Sequence, residues 1–136
     1  MQQFFNSLYT ISIGLLYDRK TPLYGLYKAE IFNTVGFNTL LVALALVLVF
    51  YYIFNYRIAP LTHLGLYRPQ HWLLVLVGAA GLGALLAWRG SLALGATPDP
   101  YLRYFIIVNT VIAPLWFALL SLALKWGSTH ARRTPF

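Results

Sequence analysis

The sequence predicts an all-α integral membrane protein: three transmembrane helices, preceded by an amphipathic interfacial helix and a short second helix. Three observations carry this. Apolar stretches at residues 35–56, 71–88 and 104–124 each approach the about 20 residues that a helix needs to cross a bilayer's hydrocarbon core. Hydrophobic residues make up 60% of the chain and charged residues only 10%, against about 25% charged in a soluble domain, so no separate water-soluble unit is expected. Aromatic and basic residues gather at the ends of the apolar stretches, where interfacial anchors belong.

The elements divide the chain into N-terminal amphipathic or interfacial helices (1–34), a three-span membrane domain (35–126) and a basic C-terminal tail (127–136). Residues 4–17 place Phe4, Leu8, Ile11 and Leu15 on one helical face, with Phe5, Tyr9 and Leu16 beside them and Asn6, Ser7, Thr10 and Gly14 opposite. This helix is too short to cross comfortably and its polar face carries no charge, so it is expected in the interface or against neighbouring helices. Asp18, Arg19 and Lys20 end it. Thr21 and Pro22 then read as the cap and first residue of the second helix, whose apolar side continues at Leu23, Tyr27 and Ile31. It either runs into the first span as one rod about 50 Å long or breaks at Asn33, Gly36 or Asn38.

The first span is densest from Leu40 to Phe54 and leaves at Tyr56 and Arg57, and a short link through His63, Arg68 and Pro69 turns the chain. Trp72 and Trp88 bracket the second span about 24 Å apart along a helix, as two interfacial indoles should be. Between them Gly78, Ala79, Ala80, Gly81, Gly83, Ala84 and Ala87 form a run of small residues that lets another helix approach closely, a principal source of association in lipid. Gly90, Gly95, Pro98 and Pro100 mark the following loop, and Trp126 closes the third span. The predicted anchors are therefore Trp72, Trp88 and Trp126 with Arg57, Arg68, Arg89 and Arg103, whose long side chains reach headgroups from span ends.

The net charge of +7 sets ten Lys and Arg against Asp18, Glu30 and Asp99, scattered rather than striped, which fits a membrane surface and not nucleic acid. Arg19, Lys20, Lys28, Arg89 and Arg103 fall on one side and Arg57, Arg68, Lys125, Arg132 and Arg133 on the other, so the positive-inside tally ties. The adopted expectation is a bacterial inner (cytoplasmic) membrane with the C-terminus in the cytoplasm. No lysine or arginine precedes the first apolar run and no small-residue cleavage site follows it, so no cleaved signal peptide is expected.

Cysteine is absent, which excludes disulfides, thiolate metal sites and Cys nucleophiles. No Asp, Glu, Lys, Arg or His lies in the middle of a span, which argues against pumps, transporters and intramembrane hydrolases. His63 and His71 have no carboxylate or Cys nearby to complete a ligand set, so neither metal nor cofactor is expected. The most polar intramembrane residues are Asn109 and Thr110; with Asn38 and Thr39 they are candidates to line water or a partner helix. Pro114 frees the carbonyl of Thr110, and a kink satisfied by Thr or Asn side chains explains the same residues. Trp116 is expected to pack on the small-residue face of the second span.

These features predict a non-catalytic protein, not an enzyme, that forms a homo-oligomer or serves as an anchoring subunit of a larger membrane complex, with lipids as its surroundings. The alternative is a self-assembling ion-conducting pore or membrane-disrupting effector. Three spans with a short basic tail resemble the layout of phage holins, and that resemblance implies the alternative.

Overall fold

The computed structural model describes residues 2–17, 22–52 and 69–125, and every regular element among them is helical. Helices α1 (Gln2–Gly14), α2 (Tyr24–Tyr52), α3 (Pro69–Ala93) and α4 (Pro100–Lys125) follow in order. The last three are long and apolar enough to cross a membrane. Trp126, Arg57, Arg68, His63 and the basic tail lie outside the described residues.

The second helix and the first span are one continuous helix, α2, in which Asn33, Gly36 and Asn38 cause no break. No proline lies between Leu23 and Tyr52 to remove a hydrogen bond from it. Its buried stripe runs Tyr27, Ile31, Val35, Thr39, Ala43, Val47, Tyr51, a strict repeat of four. In an α-helix such a repeat drifts around the axis by about 40° per step. The π-helical turns at Tyr27–Ile31 and residues 49–52 have wider closures and counter that drift, keeping both ends of the stripe facing the bundle.

Both ends of the link between α3 and α4 are fixed by backbone chemistry. Gly95 takes a positive φ of 92°, its N–H donates to the Leu92 carbonyl at 3.1 Å, and the N–H of Ala96 donates to the Ser91 carbonyl at 2.9 Å. This is the glycine-terminated pattern that satisfies the last carbonyls of a helix. Asp99 then caps α4, accepting the Leu102 N–H at 2.8 Å just ahead of Pro100. The short, doubly capped link makes α3 and α4 antiparallel neighbours.

Residues from α1, the first half of α2, the end of α3 and the start of α4 build one hydrophobic cluster around Tyr9, Tyr27, Phe32 and Phe105. Val47, Phe50, Tyr51, Trp72, Ala79 and Phe117 build a second at the opposite end. Tyr17 stacks on Tyr104 at 4.8 Å, while Tyr27 meets Tyr101 edge to face at 4.9 Å.

Helix α1 corrects the expected face. Its buried stripe is Phe5, Tyr9 and Ile13, whereas Phe4, Ile11 and Leu15 of the predicted stripe are exposed. Both stripes are apolar, so periodicity alone cannot choose between them; Phe5 seats on Gly36 of α2, and Tyr9 packs against Phe32 of α2 and Phe105 of α4. Helix α1 runs alongside α4. Tyr17 stacks beside the first turn of α4 while Phe4 meets Trp116 at 6.2 Å between centroids, about 18 Å further along that helix.

Candidate functional site

Four helices meet at one buried polar knot. Asn109, fully buried in α4, accepts the Tyr9 hydroxyl of α1 at 2.5 Å through Oδ1. Its Nδ2 donates to Thr39 Oγ1 of α2 at 3.0 Å and to the Gly83 carbonyl of α3 at 2.8 Å. The Thr39 hydroxyl spends its proton on the Val35 carbonyl at 2.7 Å, which leaves its lone pairs for the amide. The orientation of the amide follows. A carbonyl can only accept, so Nδ2 must face Gly83, and the oxygen is left for the one remaining hydroxyl donor.

Each partner reaches the knot for a local reason. Gly83 carries no side chain, so the backbones of α3 and α4 come into contact: a Cβ built there would lie 2.5 Å from Ala113 Cβ and 2.7 Å from the Asn109 carbonyl oxygen. Gly36 does the same for α1, because a Cβ there would meet the Phe5 ring at 2.5 Å. Phe5 seated on Gly36 sets the depth of α1. One turn later Tyr9, packed against Phe32 and Phe105, is delivered to Asn109.

Gly36→Ala is therefore expected to lift α1 while leaving the three long helices in place. A methyl 2.5 Å from the ring's Cδ1 and 2.8 Å from its Cγ forces Phe5, and the helix that carries it, outward, so the cost is about 1–3 kcal/mol, most of it carried by α1 alone. Faster hydrogen exchange or proteolysis confined to residues 2–17 in Gly36→Ala would confirm it; uniform loosening of all four helices would refute it.

The predicted polar quartet does not stay together. Thr39 and Asn109 join in the knot, Asn38 faces outward, and half-buried Thr110 donates to its own helix at the Ile106 carbonyl, 2.7 Å away. That corrects the account of Pro114: neither polar side chain serves the Thr110 carbonyl, since one hydroxyl goes a turn upstream and the Asn109 amide crosses the bundle. The predicted packing strip also splits. Ala79, Gly83 and Ala87 are buried and Ala80 and Ala84 half-buried, while Gly78 and Gly81 face outward, with nothing within 4 Å of the place a Cβ would take.

Trp116 meets Phe4 of α1 with ring centroids 6.2 Å apart and packs against both hydrophobic clusters, while Gly83 of α3 receives Ala113 and Asn109. Trp72 is buried against Phe117 at 5.8 Å, and Trp88 is exposed with the Arg89 guanidinium 5.8 Å from its ring centroid. Exposed Arg103, Lys28 and Glu30 share that end of the bundle. Sequence reasoning missed Tyr9 and Gly36. A hydroxyl in mid-stripe between Phe5 and Ile13 was the available signal for the first; nothing local distinguishes Gly36.

The knot can orient and lock helices, because its one titratable group, the Tyr9 phenol, is spent as a donor to Asn109 and sealed among rings. No family model, curated protein or solved structure matches this chain.

Proposed function

We propose that this protein is a non-catalytic integral membrane protein that acts as an oligomer-forming or anchoring subunit of a membrane complex. The observation that carries the reading is the division between inside and outside. The mid-level polar groups Tyr9, Thr39 and Asn109 are turned inward and bonded to one another. Leu74, Val77, Leu85, Ile107, Val111, Leu115 and Leu119 are exposed on the outer faces of α3 and α4. In lipid such a surface is at home, and helix association then rests on close packing and polar contacts. Burial inside the chain also falls short on α3, where only 22% of the most apolar window is covered, against 39% in the other two long helices. The surroundings in this reading are lipid and further protein helices, in a bacterial inner membrane with the C-terminus on the cytoplasmic side.

A pore reading draws on Asn38, Thr39, Asn109 and Thr110 as a lining, and the two buried members are already spent on each other. The subunit reading is favoured for that reason.

The test is native mass spectrometry of the protein extracted gently from its membrane. A discrete homo-oligomer or stable co-purification with larger membrane proteins is the expected result. A lone monomer under every mild extraction, or recovery in the soluble fraction, would overturn the proposal.

A further inference from the structure

Asn38 sits midway along α2, at the level where Thr39 and Asn109 bond inside the bundle, yet its side chain is exposed and hydrogen-bonds to nothing among the described residues. Were α2 to cross a bilayer, this carboxamide would stand about one turn inside the apolar stretch that begins near residue 35, where lipid tails offer no donor or acceptor. The surface around it is patterned. Thr34, Asn38, Leu41, Ala45, Leu48 and Tyr52 are all exposed and recur at alternating steps of four and three, the spacing of a coiled-coil seam. A single Asn in such a seam fixes partner and register.

We propose that two copies of this chain pair in the membrane through this outer face of α2, with the Asn38 carboxamides bonded to each other across a two-fold axis. The inference rests on the subunit reading above and names its partner. A second copy is the occupant the chemistry favours. A carboxamide is self-complementary, carrying both donors and acceptors. Two copies inserted with the same orientation are related by an axis along the membrane normal, so equivalent residues meet at equal depth without further adjustment. An unrelated helix would need its own polar group at that level. Ala45, one turn beyond Leu41, keeps the seam narrow enough for close approach on that side.

The absence of cysteine makes the test direct. L41C and A45C, each expressed in native membranes and oxidised, are expected to give a disulfide-linked dimer, because residues on the seam bring their Cα atoms within the about 7 Å that a disulfide tolerates. L74C and L85C, on the outer face of α3, are expected to stay monomeric. Adding N38L to L41C should cut the cross-linked fraction about tenfold at limiting expression, while N38Q retains most of it. Because Asn38 bonds to nothing inside the described fold, N38L should keep the parent's helical circular dichroism in detergent. Cross-linking indifferent to N38L, or found only at the α3 positions, overturns the seam while leaving the subunit reading standing. A monomer by native mass spectrometry, with no cross-link at any position, overturns both.

Discussion

Gly83→Ala is expected to destabilise the protein by about 2–3 kcal/mol, in the range of overpacked cores, although alanine is the better helix former. The added methyl would meet Ala113 Cβ at 2.5 Å and the Asn109 carbonyl oxygen at 2.7 Å. Neither can swing aside, since one is fixed to the backbone and the other is backbone, so α3 and α4 must separate along their whole contact. The same shift lengthens the bond from Asn109 Nδ2 to the Gly83 carbonyl, now 2.8 Å. Gly78→Ala and Gly81→Ala supply the contrast within one helix. Nothing lies within 4 Å of a methyl at either place, so these changes should leave stability level or raise it by up to about 1 kcal/mol. Denaturation in mixed micelles, read by tryptophan fluorescence, measures all three; equal midpoints would mean that α3 and α4 do not approach at Gly83.

Asn109→Leu is expected to cost about 2–4 kcal/mol, because it strands buried partners on three other helices at once. Leucine fills a similar volume, so the loss reports hydrogen bonding rather than a cavity. Tyr9→Phe removes one bond and should cost about 1 kcal/mol, near the modest values found for polar contacts between membrane helices. In a double-mutant cycle the pair should show a coupling of about 1 kcal/mol, since Tyr9→Phe has nothing further to lose once the amide is gone. Strict additivity would show that the Tyr9 hydroxyl has another acceptor. Hydrogen exchange should locate the difference: Tyr9→Phe loosens α1, and Asn109→Leu loosens all four helices.

The polar residues show how far a linear reading reaches. Asn109 stood out as polar in an apolar stretch, and hydrocarbon chemistry required that it find partners. Which partners it found depended on rotations and depths that span length does not encode. Asn38 and Thr39 looked equivalent in the sequence, yet neighbouring residues on a helix point about 100° apart, so one enters the knot and the other leaves the bundle. The small residues between Gly78 and Ala87 read as one seam for the same reason. Their spacings of three and four occur on two faces, and only contact with α4 separates Ala79, Gly83 and Ala87 from Gly78 and Gly81.

By itself the sequence determined the helical class, the number of long apolar helices and the position of their link, because apolar length, proline and glycine act locally and leave their mark in composition and spacing. Only the tertiary structure decided that α1 turns Phe5 and Tyr9 inward, that one helix runs unbroken from Tyr24 to Tyr52, and that Asn109 gathers four helices around one amide. Those outcomes hang on the shape left between helices already formed. A notch at Gly36 or a contact at Gly83 is a property of two surfaces, and a single chain of letters specifies it only through the packing it produces.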